Sequence, residues 1–281
     1  MPTALKSAEG LIYKNFEGNF LKSNFDFGDA LRPFSGTNML ELTPNQLISK
    51  DNFCILYWLG RASAQNTSNT PATYNNTSLE LRFNTGATSD LNFRLSTNNS
   101  TFPNYYYPAI VTGNSFFVGA NTGQDSNGLI GLMFNTDIST RIITKLMNHN
   151  ITRDQTRFDV QDRSLVSGIN RIRFGKSLPY GAVITEILVL NRIPSNQELN
   201  VIFLNGNGND YQSLEGAVAY YKTNTAEVLP CPDGLGGSVN QPGIRDYTIN
   251  NNHMRFLGLP AGTNQEKVDF ANSTVLIPFN S

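Results

Sequence analysis

Apolar and polar positions alternate with a period of two through much of the chain. Leu79, Leu81 and Phe83 interleave with Glu80, Arg82 and Asn84, and Leu91, Phe93 and Leu95 with Asn92, Arg94 and Ser96. A β-strand sends successive side chains to opposite faces, so this pattern predicts antiparallel strands with one wet face. The stretch from Thr85 to Asp90 between them has the Gly, Thr, Ser and Asp content of a turn. Two runs differ: residues 53–59 (Phe-Cys-Ile-Leu-Tyr-Trp-Leu) and 183–190 (Val-Ile-Thr-Glu-Ile-Leu-Val-Leu) are apolar on nearly both faces. They predict central strands covered on each side. Further strands are expected at 39–43, 115–120, 129–135, 141–147 and 169–175, separated by turn signals such as Pro44-Asn45, Thr112-Gly113-Asn114 and Ser126-Asn127-Gly128. Many short strands punctuated in this way predict a sandwich.

Helical signals are few. Ser195-Asn196-Gln197-Glu198 is a capping box, in which the Ser hydroxyl and the Glu carboxylate each satisfy a backbone N–H of the other. Leu199, Ile202 and Phe203 follow as an apolar stripe, and Gly206 stands where a helix would end. Thr263 to Glu266 repeats the box and predicts a second helix to about Ala271. Between the two, Leu229 to Gly237 is too rich in Pro and Gly to predict regular structure. The expected organisation is an N-terminal arm (1–20), a β-sandwich (21–210) and a C-terminal extension (211–281) holding a strand, a Pro/Gly-rich loop and a short helix. The extension would pack on its own sandwich or on a neighbouring subunit. Val218, Tyr220, Met254, Phe256, Leu257 and residues 275–279 in it have the character of buried positions.

Composition narrows the chemistry. At 281 residues the chain is within reach of a single all-β unit. Only 15% of residues are charged and the net charge is −1. Nucleic-acid binding is not expected, because neutralising phosphates needs a concentrated basic surface. No apolar run approaches the ~20 residues of a membrane helix, and the first residues carry no secretory-type apolar stretch, so synthesis in a cytoplasm without membrane insertion is expected. Two cysteines, Cys54 and Cys231, make no disulfide framework, and two histidines, His149 and His253, limit imidazole chemistry.

Enzyme motifs are missing. Gly175-Lys176-Ser177 matches only the end of a phosphate-binding loop, since Asn170 occupies the position of its opening glycine. Gly234, Gly236 and Gly237 complete no dinucleotide fingerprint, and no G-x-S-x-G elbow occurs. Asp154, Asp159 and Asp162 alternate with Arg153, Arg157 and Arg163 and read as a charge-paired surface. The loop from Asn121 to Gly128 offers one carboxylate, too few for calcium. No catalytic residue, metal site or cofactor is therefore expected. Tyr105, Tyr106 and Tyr107, beside Pro108, are the candidate ligand-binding residues, because exposed rings pack against the C–H faces of sugars. The competing reading packs them inside the sandwich. Trp58 and Cys54 read as core.

Three segments carry a family resemblance: Phe34 to Leu42, Phe53 to Leu59, and above all Gly181 to Leu199, a strand running into a short capped helix. Their order resembles the opening and closing elements of laminin G-like, concanavalin A-like jelly-roll domains. Ala219-Tyr220-Tyr221 with Asp246 to His253 resembles an element such domains carry at their start, here placed at the end. The resemblance implies an all-β, antiparallel two-sheet jelly-roll sandwich (concanavalin A-like), with one short helix after the last core strand and an irregular C-terminal extension. It implies a binding or structural module for glycans or proteins rather than catalysis. The family's calcium pattern is not matched.

These observations lead to the expectation of a non-enzymatic bacteriophage virion structural protein: a head fibre, tail fibre or capsid-attached protein. Its partners would be copies of itself, other virion proteins and host-surface glycan, without cofactor, nucleic acid or membrane insertion. A bacterial envelope or secreted carbohydrate-binding module is the alternative. A polysaccharide-cleaving enzyme on the same fold is the second.

Overall fold

The computed structural model describes the backbone of the strands named below and side chains for residues 39–48, 52–57, 79–82, 168–174, 186–195, 197–198, 202, 211–273 and 275–276. β1 (Ala4–Ser7) and β2 (Gly10–Tyr13) form a hairpin of their own. The first strands of the main sheet are β3 (Asn19–Lys22), β4 (Met39–Leu42), β5 (Asn52–Arg61), β6 (Thr77–Asn84), β7 (Leu91–Thr97) and β8 (Tyr106–Thr112). Next come β9 (Ser115–Val118), β10 (Gly128–Thr136), β11 (Arg141–Met147), β12 (Arg153–Asp159), β13 (Gly168–Phe174) and β14 (Ala182–Leu190). The last are β15 (Ala217–Pro232), β16 (Ser238–Asp246), β17 (Met254–Leu257) and β18 (Leu276–Pro278). All pair antiparallel in one continuous path, β12-β11-β10-β5-β14-β15-β16-β17-β4-β13-β6-β7-β8-β9, with β3 joining β14 to β18.

The path curls onto itself. β5 and β13 lie six ladders apart along it, which in a flat sheet would separate them by roughly 29 Å at ~4.8 Å per strand. Yet the rings of Tyr57 on β5 and Phe174 on β13 meet edge-on with centroids 5.5 Å apart. Between them lies one apolar interior, built from Leu40, Leu42, Phe53, Ile55, Leu79, Leu81, Ile172, Ile187, Val189, Tyr221, Ile244 and Met254. The molecule is thus mostly β, as expected, but the described ladders form one curled sheet where two separate ones were anticipated.

Two-sided burial of the central strands holds. Phe53, Ile55 and Tyr57 face the interior, while Cys54 and Leu56 face outward with Leu188, Leu190 and Tyr220, beneath Ile202 and Tyr211. The alternation in β14 conceals a bulge: Thr185 pairs with Trp58 and Ile187 with Tyr57, leaving Glu186 as an extra residue at φ 41°. A left-handed backbone is uncommon for a residue with a Cβ, and bulges are where strands accept it to gain twist.

The expectation of an irregular C-terminal extension is corrected. β15, β16 and β17 occupy the middle of the path, between β14 and β4. Tyr220, Met254, Phe256, Val275 and Leu276 are buried, and Val218 is packed against the core. Leu229 to Pro232, read as irregular, belongs to β15. The prolines survive there because of which edge they use. The Ala226 N–H points away from β16 and donates to Asn272 Oδ1 at 2.8 Å, while Asn272 Nδ2 donates to the Ala226 carbonyl at 3.1 Å. Positions two and three pairs further on, Pro230 and Pro232, have their missing N–H on this same outer edge, where no ladder bond is lost. One side-chain amide thus stands in for a neighbouring strand.

Both capping boxes form. Ser195 N–H donates to Glu198 Oε2 at 2.8 Å and Glu198 N–H to Ser195 Oγ at 3.2 Å, with helical backbone at Gln197, Glu198 and Ile202. Leu199, Phe203 and Gly206 lie outside the described residues. Thr263 caps α1 (Asn264–Phe270), which continues as a π-helical turn, Ala271–Val275, and places Val268, Ala271 and Val275 in the interior. Among the described residues no helix is long and apolar enough to cross a membrane.

A chain ending at residue 210 loses three strands from the middle of the path. Circular dichroism should then show no cooperative thermal transition, whereas a dispensable tail would leave the melting curve intact.

Candidate functional site

Two polar clusters stand out from the apolar framework. The first is a row of charges across four neighbouring strands. Register places Arg255 (β17) opposite Glu41 (β4), Glu41 opposite Arg173 (β13) and Arg173 opposite Glu80 (β6). Directly opposed residues share a face, and their flanking neighbours Leu40, Leu42, Ile172, Leu79 and Leu81 face the interior, so the row lies on the other side of the sheet.

Both carboxylates are covered by guanidinium groups. Glu41 is 2% exposed and Glu80 3%, while the arginine side chains keep 19% (Arg171) to 30% (Arg255). Glu41 Oε2 accepts from Arg173 Nε at 2.6 Å, and its Oε1 from Arg255 Nε at 2.9 Å and from Arg255 Nη2. Glu80 Oε1 accepts from Arg171 Nη2 at 3.3 Å and Arg173 Nη1 at 3.4 Å. Burial pushes the Glu41 carboxyl up, but hydrogen bonds and charge from Arg255 and Arg173 outweigh it and hold it below the usual range. A glycosidase needs one carboxyl raised so that it can protonate a leaving group. Glu41, clamped by two cations, is tuned the opposite way.

The second cluster sits where β15 bends. β15 pairs with β14 up to Tyr221 and with β16 at Tyr221 and again from Ala226, the register shifting over the residues between. Beside it the buried Asp246 carboxylate gathers backbone donors from β15 and from the loop after β16. Its Oδ1 accepts from the N–H of Tyr220 at 3.0 Å and of Thr248 at 2.8 Å. Its Oδ2 accepts from the Asn252 N–H and the Thr248 hydroxyl, both at 2.8 Å. The Asp246 N–H donates to His253 Nδ1 at 3.0 Å, so this nitrogen carries no proton. Tyr221 donates its hydroxyl proton to the Asn252 carbonyl at 2.5 Å, and burial together with Asp246 pushes its pKa well up. An Asp, a His and a Tyr thus lie close together without a nucleophile–base pair, since each is spent on fixing the backbone.

Thiol chemistry is equally unsupported: burial pushes the Cys231 thiol up to about 12, with Arg255 opposing, far from a reactive thiolate. No group of three His, Cys, Asp or Glu among the described residues could hold a metal. Tyr106 and Tyr107 stand opposite Thr97 and Ser96 at the start of β8. Tyr105 and all three tyrosine side chains lie outside the described residues, as do the side chains of Trp58 and of β12. Sequence reasoning singled out none of the row. Its only trace was a lone acidic residue inside an apolar strand, twice, in Leu40-Glu41-Leu42 and Leu79-Glu80-Leu81.

Comparison with known proteins adds little. No family model and no curated protein matches the chain. Among solved structures, a mutant of HCR D/C VPI 5995 aligns over 90% of this chain and 63% of its own at 12% identity and TM-score 0.35. HCR/D-Sa-GBL1/C aligns over 99% of this chain and 68% of its own at 12% and 0.32. Scytalido-glutamic peptidase with a transition state analog inhibitor aligns over 88% and 96% at 10% and 0.29. All three are β-sandwich or jelly-roll-like folds. This chain spans less than two thirds of the first. At such scores the likeness says nothing about activity.

Arg173→Gln should cost about 3 kcal/mol in urea unfolding, because it strips a cation from two buried carboxylates at once. The pH dependence has two parts. His253 is held below its ordinary value by burial, against the pull of Asp246, so the unfolded state takes up its proton first and stability falls as pH drops below about 6.5. Glu41 and Glu198, the latter at about 2 through its bonds with Arg192 and Ser195, stabilise fully above about 4.5 and lose this as pH falls through their lower folded values. The urea midpoint should therefore drop in two windows, and His253→Gln should flatten the upper one.

Proposed function

We propose that this chain is a non-enzymatic structural and binding protein of a bacteriophage virion, in which the curled sheet is a jelly-roll-type sandwich creased at β15. The observation that carries the non-catalytic part is the state of its buried polar groups. Glu41 and Glu80 are bonded to arginines, Asp246 accepts four hydrogen bonds, and His253 Nδ1 accepts a backbone N–H. Groups held in this way brace a sheet, and none of these four is poised for proton transfer.

Assembly is supported by two rigidly built apolar tips. Leu235 stands 91% exposed at the β15–β16 turn. That turn is fixed by Asn45, whose Oδ1 accepts from the N–H of Gly234 and of Gly236 and whose Nδ2 donates to the Gly237 carbonyl. Ile249, 94% exposed, crowns the loop held by Asp246 and Thr248. Large apolar side chains displayed on ordered turns suit contact with other protein. In this reading the partners are copies of the chain and other virion proteins. Quantitative peptide mass spectrometry on density-purified particles should find a fixed, high copy number. Enrichment in a bacterial envelope fraction, with none in particles, would transfer the chain to the carbohydrate-binding modules.

A further inference from the structure

The loop from Tyr247 to Asn252, between β16 and β17, is held by polar bonds and not by the core. Tyr247, Ile249, Asn250 and Asn251 are exposed, and no residue of the loop enters either apolar cluster. Its anchors are the side-chain amides of Asn250 and Asn252 on the Val218 carbonyl, and the Asp246 carboxylate on the N–H groups of Thr248 and Asn252. Asp246 precedes the loop and His253 follows it. His253 is 4% exposed, and its Nδ1 accepts from the Asp246 N–H at 3.0 Å. One imidazole lone pair therefore ties the two ends of the loop together, and only while that nitrogen carries no proton.

We propose that His253 is a pH-sensitive latch: protonating its Nδ1 frees the loop, with Ile249 at its tip, while the strands around it stay paired. The device goes beyond the virion reading and stands without it. Protonation turns the acceptor into a donor and sets two N–H groups against each other. The Asp246 carboxylate attracts the imidazolium but already serves four donors, so a turn toward it displaces Thr248 or Asn252. Arg245 of β16 and Glu227 of β15 act on the ring with opposite signs, and they are bonded to each other at 3.1 and 2.5 Å. Tyr221 of β15, opposite Asp246 in register, has its pKa pushed well up and brings no charge. Burial holds His253 below its ordinary value, against the pull of Asp246, so the closed loop refuses a proton that the open loop takes up at about 6.5. Opening is thus rare above that pH and gains up to about tenfold per unit below it, until the pH reaches the lower value of the closed loop. Mild acid thereby turns an ordered apolar tip into a mobile one.

Native-state hydrogen exchange by NMR on the full chain tests the latch, with rates normalised at each pH to those of unstructured peptides. Between about pH 7.5 and about pH 5.5 the protection of the Thr248 and Asn252 amides should fall to about a tenth. Low urea should hardly change it, since opening the loop exposes little surface. The amides of Ile55 and Val189, paired across β5 and β14, should exchange far more slowly and respond steeply to urea. His253→Gln keeps an acceptor for the Asp246 N–H but does not titrate, so loop protection should become flat with pH. In the wild type the imidazole itself should titrate below about 6.5, a readout that stands even where the variant does not fold. Loop amides as urea-sensitive as those of Ile55 and Val189 would overturn the proposal, because the loop would then open only with the whole molecule. So would equal loop protection at the two pH values, an unchanged pH response in His253→Gln, or an imidazole that titrates at its ordinary value.

Discussion

The bend in β15 is the constraint on which the rest of the molecule depends. A sheet whose path spans so many strands must curl to bury its apolar face, and here β15 meets β14 along its first residues and β16 along its later ones, with a register break after Tyr221, where the two overlap. Beside this break, β15 and the loop after β16 present buried backbone donors that the ladders do not use. Leaving one buried donor unmet costs about 1–3 kcal/mol. Asp246 meets three such N–H groups at once, and the side chains of Thr248, Asn250 and Asn252 converge on the Val218 carbonyl. Tyr221, paired to both halves and bonded to Asn252, fills the interior at the crease.

From this corner the opposite sides of the interior come together. Tyr57 reaches Phe174, α1 and its π turn seal the open edge through Asn272, and β4 gains β17 as a neighbour. Docking of β17 supplies the Arg255 end of the charged row. Without it Glu41 would keep Arg173 alone, and a carboxylate this deeply covered needs more than one cation to offset its lost hydration. Packing and electrostatics are thus coupled: the strand that closes the core also completes the ion pairs on its outer face.

Much of the local structure was legible because it is written in neighbours. Period-two runs predicted β6 and β7, stretches set between turn signals predicted β4, β9, β10, β11 and β13, and the two-sided apolar runs predicted the covered centre of β5 and β14. Both capping boxes formed as their spacing demanded. The failures have a shared cause. Leu229 to Pro232 was misread because proline is compatible with a strand whose N–H side faces an edge, and which side faces an edge is decided by the partner strand. The Glu186 bulge hides inside a run whose hydrophobicity looks uniform. The row escaped because Arg255 and Glu41 are 214 positions apart, and no periodicity links residues that meet only across a ladder.

The sequence by itself determined the β character of this protein, its strand faces and its two helix starts, because each depends on side chains a few positions apart. Tertiary structure alone decided that β15, β16 and β17 lie in the middle of the sheet, that Asp246 serves the backbone, and that Glu41 and Glu80 are sheathed in arginine. Those outcomes rest on register between distant strands and on the dielectric of an interior that exists only once the sheet has closed.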